Sequence, residues 1–120
     1  MSKLKPFRVQ VPDEVLEDLR RRLGHTRWPS EPRSGGWAYG TNLAYLKRLA
    51  DYWQRDFDWR AAEVRINRFS QFTTDVAFDS DAAGSGSITL HFIREPGSSP
   101  RPPLLLLHGW PGSVAEFLDF

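Results

Sequence analysis

The stretch Leu104-Leu105-Leu106-Leu107-His108-Gly109-Trp110-Pro111-Gly112-Ser113 decides the fold. Four consecutive leucines, with prolines before them and Gly and Pro after, predict a short strand buried on both faces. A half-exposed strand would alternate apolar with polar residues, and a helix would need more length. A tight turn follows, in which Gly109 and Gly112 are expected to supply backbone angles closed to other residues. Ser113-Val114-Ala115-Glu116 then spells a capping box, with Ser113 capping the next helix and Glu116 reaching back. Strand, turn and capped helix together would aim free backbone N–H groups at the space above the strand's carboxyl end, where an anion or a developing oxyanion can be held.

Outward from that stretch, the preceding segments divide by period. Pro12 and Asp13 open a helix whose Val15, Leu16, Leu19 and Leu23 form one apolar stripe. Acids at 13, 14, 17 and 18 and arginines at 20–22 complement the helix dipole, and Gly24 is a candidate C-terminal cap. The arginine run reads as a solvated helix end, not as a polyanion site. Residues 25–40 carry Pro, Gly and Ser with Trp28, Trp37 and Tyr39, predicting an ordered loop pinned by buried aromatics. Thr41 or Asn42 caps a second helix (Leu43, Leu46, Ala50 and Trp53 on one face). Asp58 caps a third, with Trp59, Ala62, Ile66 and Phe69 inward. Four of the five tryptophans fall between 28 and 59, and at this spacing they read as core packing rather than a ligand platform.

After Arg68 the period becomes alternating. Phe7–Val11 is a candidate extended segment. Phe72, Thr74, Val76 and Phe78 share one face of a strand; Ile88, Leu90 and Phe92 share one face of another. Asp79–Gly86 is read as a long, flexible polar connection containing Ala82-Ala83-Gly84-Ser85-Gly86. The organisation expected is a helical segment over 1–70 and the start of a sheet over 71–120.

The residues His108-Gly109-Trp110-Pro111-Gly112-Ser113 resemble the oxyanion-hole motif, His-Gly-X-Pro, of epoxide hydrolases of the α/β-hydrolase fold. Thr26-Arg27-Trp28-Pro29, Tyr52-Trp53, Asp58-Trp59-Arg60, Gln71-Phe72-Thr73-Thr74 and His91-Phe92-Ile93 resemble the N-terminal region of their microsomal-type branch. The resemblance runs from about Phe7 to Phe120. It implies an α/β fold, truncated: an N-terminal helical segment, then an antiparallel strand pair, the buried leucine strand, the oxyanion loop and the first helix. It also implies conversion of an epoxide to a vicinal diol through an alkyl-enzyme ester, with no cofactor. In that family the nucleophile is an aspartate after a later strand, assisted by two tyrosines and a His–acid pair.

No G-x-S-x-G or G-x-D-x-G elbow occurs in the sequence, and Gly84-Ser85-Gly86-Ser87 has no strand feeding it as an elbow would. Nucleophile and base would therefore lie beyond Phe120, and the segment alone is expected to be inactive. The residues from Val114 to Phe120 are too few for a stable helix, with Phe117, Leu118 and Phe120 left unpaired. The chain reads as the front third of a larger enzyme. Within it, Trp110 is the candidate oxyanion donor through its backbone N–H. His108, Gly109 and Pro111 set the loop geometry, and the aromatic–proline bond Trp110–Pro111 is of the kind most prone to be cis. His108 is read as structural, one ring nitrogen on a loop carbonyl; His91 as packed; His25 as exposed. Histidines so scattered do not suggest a metal.

Composition bounds the rest. The 120 residues are 40% hydrophobic and 26% charged, ordinary for one small soluble domain with a core. A net charge of +1 gives no reason to propose nucleic acid or an anionic membrane as partner. Without cysteine there are no disulfides or thiolate metal sites. No apolar run approaches the roughly 18–20 residues that span a bilayer, and no signal-peptide core opens the chain, so a cytoplasmic location is expected. The expected partner is a small-molecule epoxide; the sequence is silent on oligomeric state. Two rivals stay open: another α/β hydrolase, such as an esterase or haloalkane dehalogenase, and a stand-alone binding module.

Overall fold

A computed structural model describes residues 3–32, 35–80, 84–98 and 100–119. In chain order the elements are β1 (Lys5–Phe7), α1 (Asp13–Gly24), α2 (Leu43–Arg55), α3 (Trp59–Ile66), β2 (Gln71–Ser80), β3 (Gly84–Ile93) and a 3-10 turn, Val114–Phe117. They fall into two compact units, one of residues 10–59 and one of residues 1–9 with 60–120.

In the unit of residues 10–59, α1 starts after Pro12 and buries Leu16. Its last helical residue is Gly24; the cap position passes to His25, at φ −102°, so no left-handed glycine ends this helix. Asp18 accepts from Arg22 Nε at 2.5 Å and from Arg21, and those two guanidinium groups hold its carboxyl below the usual range. Gln54, on α2, donates to the Arg20 carbonyl at 2.9 Å. Asn42 caps α2, its side chain accepting from the Tyr45 N–H at 2.9 Å, as a short amide does at an N-terminus. Leu43, Leu46 and Ala50 are half-buried along the anticipated face, while Trp53 is half exposed.

The loop before α2 differs from expectation in what holds it. Trp37 and Tyr39 are exposed rather than buried. The order comes from polar contacts: Glu31 accepts from the Leu43 N–H at 3.2 Å, and turns close from Gly35 N–H to Pro32 O at 3.0 Å and from Ala38 N–H to Gly35 O at 2.9 Å. Gly36 and Gly40, at φ +50° and +135°, supply the backbone conformations those turns demand. Trp37 leans on Tyr45 with ring centroids 5.2 Å apart.

In the other unit, the period-2 alternation after Arg68 produces a hairpin. β2 pairs antiparallel with β3, from Gln71 opposite Ile93 to Ser80 opposite Gly84. The strands extend further than the sequence suggests, because backbone pairing tolerates Gly84, Ser85 and Gly86 as strand residues; the long polar connection shortens accordingly. Ala82 and Ala83 of that connection, and Phe120, lie outside the described residues. Phe72, Val76 and Phe78 share a face with Ile88, Leu90 and Phe92, and Phe72 stacks on Phe92 at 5.9 Å.

β1 adds to the free edge of β2, Lys5 opposite Thr73 and Phe7 opposite Gln71. The extended segment read at Phe7–Val11 is thus a strand shifted toward the N-terminus. Beyond Phe7 a side chain takes over from the ladder. Asn67 Oδ1 accepts the Val9 N–H at 2.9 Å and its Nδ2 donates to the Val9 carbonyl at 2.7 Å. Gln71, the buried polar residue of this unit, donates to Asn67 Oδ1 at 3.0 Å and to the Ile66 carbonyl at 3.2 Å. Its own oxygen then faces His91 Nε2 at 3.0 Å, which assigns the proton of neutral His91 to Nε2. Burial pushes the His91 pKa down, and Phe7 packs edge-on against the ring at 4.9 Å.

The leucine segment departs most from expectation. Leu104–Leu107 is not a strand: its backbone makes no hydrogen bond among the described residues, and Leu105 and Leu107 are each 78% exposed. A strand buried on both faces needs neighbours on both edges, and no described strand pairs with this segment. No helix among the described residues is long and apolar enough to cross a membrane.

Candidate functional site

The turn after the leucines is closed by the Gly112 N–H donating to the Gly109 carbonyl at 2.7 Å. Pro111, within it, has no N–H to offer, and the Trp110–Pro111 bond is cis. The Trp110 N–H has no acceptor among the described residues, and its indole is 99% exposed. His108 Nδ1 lies 3.3 Å from the Gly109 carbonyl, which makes that nitrogen the donor; the ring is exposed. His108, Gly109, Trp110 and Pro111 therefore sit together in one turn, with the Trp110 N–H as the donor at its apex.

The two glycines do not act as the sequence suggests. Neither has φ in the left-handed region; among the described residues that holds for Gly36, Gly40 and Gly84. Gly109 has open space where a side chain would project. At Gly112 a Cβ would overlap the tip of the flexible, exposed Glu116 side chain, which can swing aside, and would lie 3.0 Å from the Gly109 carbonyl oxygen, a tight approach to backbone.

The capping box forms by half. Ser113 Oγ accepts from the Ala115 N–H at 3.2 Å, and the Ser113 carbonyl accepts from the Glu116 N–H at 3.1 Å. The Glu116 carboxylate folds over Gly112 instead of bonding the Ser113 N–H. After Ser113 the chain makes one 3-10 turn, too short for the helix that a full box would start. The placement of Glu116 over Gly112 is the part of the site that the sequence motif does not reveal, since it depends on turn shape rather than on spacing.

The remaining histidines belong to other elements. His25 Nδ1 lies 2.7 Å from the Arg21 carbonyl at the end of α1, and His91 belongs to the Gln71 network. No group of three or more His, Cys, Asp or Glu side chains able to hold a metal occurs among the described residues. Asp75, on the polar face of the hairpin, accepts from Thr89 at 2.7 Å and from Lys5 at 3.1 Å; these two contacts lower its pKa.

Residues 4–117 match the epoxide hydrolase N-terminus family. This chain belongs to that family. A putative epoxide hydrolase of Stigmatella aurantiaca is 42% identical over 116 residues, covering 96% of this chain and 24% of that protein. Epoxide hydrolase 1 of Oryctolagus cuniculus is 33% identical over 120 residues, covering 95% of this chain and again 24% of the relative. The solved structure of the Aspergillus niger epoxide hydrolase superposes with a TM-score of 0.75 at 31% identity, over 98% of this chain and 29% of that one. The epoxide hydrolase N-terminus described here thus spans about a quarter of the length of these curated relatives. Among the described residues, three helices and a three-stranded antiparallel sheet correspond to part of the α/β-hydrolase fold.

Proposed function

We propose that this chain is the part of an epoxide hydrolase that carries the oxyanion loop, serving the conversion of an epoxide to a vicinal diol. The nucleophilic carboxylate and the base are supplied by residues outside this sequence. The carboxylate attacks an epoxide carbon and becomes an alkyl ester, and the broken C–O bond leaves the ring oxygen to take a proton from the assisting tyrosines, which are also supplied from outside this sequence. Water, deprotonated by the base, then adds to the ester carbonyl carbon, and the negative charge of the resulting tetrahedral intermediate lands on the former carbonyl oxygen. The Trp110 N–H is the group on this chain suited to that oxygen. A backbone amide held in a closed turn needs no reorganisation when the charge appears. The observation that carries the reading is this donor, unpartnered among the described residues in a turn fixed at 2.7 Å. His108 supports the turn through the Gly109 carbonyl, and Pro111 leaves Trp110 as the donor at its apex.

The test replaces one atom. In an epoxide hydrolase carrying this segment, substituting Trp110 by its α-hydroxy acid turns the N–H into an ester oxygen and leaves the indole in place. Breakdown of the alkyl-enzyme ester in single turnover should slow by roughly 10²–10³. Trp110→Phe, which keeps the N–H, should remain within a few fold of the parent. If the α-hydroxy acid keeps the parental rate while Trp110→Phe abolishes turnover, the side chain and not the backbone is the working group.

A further inference from the structure

We propose that Glu116 is a positioning residue for the Gly109–Gly112 turn, its carboxylate occupying the space that Gly112 leaves by having no side chain. The proposal rests on reading that turn as the oxyanion loop, but the contact itself is independent of turnover.

The geometry assigns this role by elimination among the partners Glu116 has. Among the described residues it lies in no ion pair, and it does not complete the capping box on Ser113. Its carboxylate lies instead against the one face of Gly112 where a Cβ would overlap it, while the Gly112 N–H closes the turn onto Gly109. Its own N–H bonds the Ser113 carbonyl at 3.1 Å and the neighbouring Ala115 N–H bonds Ser113 Oγ at 3.2 Å, so the backbone delivering the side chain is itself tied down. A side chain four residues on thus occupies the space beside Gly112 into which a Cβ would project. The role is one of shape, which an amide of the same outline also satisfies.

This makes Gly112 and Glu116 a coupled pair. Adding a methyl at 112 forces the carboxylate out; removing the carboxylate first gives the methyl room, apart from the tight approach to the Gly109 carbonyl at 3.0 Å. The experiment is a double-mutant cycle on the 120-residue chain: Gly112→Ala, Glu116→Ala and both, with Glu116→Gln as the isosteric control. The readout is the hydrogen-exchange protection of the residue-112 N–H, by NMR. Glu116→Ala should lower that protection by up to about tenfold, the scale of one net hydrogen bond. Gly112→Ala should lower it similarly. The double variant should lose much less than the product of the two, and Glu116→Gln should stay within about twofold of the parent. Additive losses, or a Glu116→Gln variant that behaves like Glu116→Ala, would overturn the proposal. Failure of the oxyanion reading shows elsewhere, in the ester-breakdown rates of the Trp110 substitutions, and leaves this cycle's result standing.

Discussion

Replacing Leu105 and Leu107 together by lysine tests what the exposed leucine segment does to the isolated chain. Both side chains are 78% exposed, Leu104 is 72% exposed and the Trp110 indole 99% exposed. Burying a leucine is worth about 1.5–3 kcal/mol in full, so covering each of Leu105 and Leu107 is worth roughly 2 kcal/mol. With Leu104 and Trp110 the gross gain on association reaches roughly 8 kcal/mol, against at least about 4 kcal/mol for lost translational and rotational freedom. The surplus, at most about 4 kcal/mol, corresponds to self-association with a dissociation constant of roughly 10⁻³ M or weaker, and an unpaired backbone on both edges of Leu104–Leu107 lets it continue beyond a dimer. Loss of two leucines removes about 4 kcal/mol, close to a thousandfold in affinity. Each lysine also puts a charge on the edge and moves the net charge further from the present +1. Sedimentation velocity from about 20 to about 500 μM, a range that approaches the expected dissociation constant from below, should show the parent's weight-average mass rising at the upper end and the double variant's holding at the monomer. A variant that associates as strongly as the parent would refute the argument, and so would a parent that stays monomeric throughout.

Other consequences are accessible to simpler measurements. Asn67→Ala removes two bonds to the Val9 backbone and one from Gln71, so the Val9 amide should exchange at least about tenfold faster while the β2–β3 amides keep their protection; equal loosening of both would place the grip elsewhere. For His91, burial favours the neutral ring, so the folded pKa lies below the ordinary 6.5. The unfolded chain then binds the proton first as pH falls. Stability is therefore full above about pH 6.5 and declines below it, and less so in His91→Gln. An NMR titration placing His91 above 6.5 would contradict this.

The hairpin, α1 and a cap at Thr41 or Asn42 were legible in the sequence because their signals are local: alternation, an apolar stripe, short polar side chains ahead of a helix; the structure selects Asn42. The strand β1 was not, since three residues pairing with partners almost seventy positions away carry no pattern of their own. The same holds for Asn67, Gln71 and His91, polar residues on separate elements whose meeting depends on that pairing. Leu104–Leu107 shows the opposite failing. Its composition states that it belongs under cover, yet composition cannot name the cover, and the described residues provide none. At the turn, residue type and order placed His108, Trp110 and Pro111 side by side, whereas the Glu116 carboxylate beside Gly112 follows from the folded shape and not from spacing.

The β1–β2 pairing also orders the events of folding. β2 and β3 meet across a short connection and can zip within microseconds. Docking of β1 must close a loop whose clamped ends, Val9 and Asn67, lie 58 positions apart. The chain-entropy term for a loop of that length is roughly 3–4 kcal/mol before any constant is added. Three ladder residues and one asparagine offset little more than that, so β1 should arrive last, once residues 10–59 have shortened the path by collapsing into their own unit. The N-terminal strand is in this sense a late fastener on a sheet that its neighbours have already built.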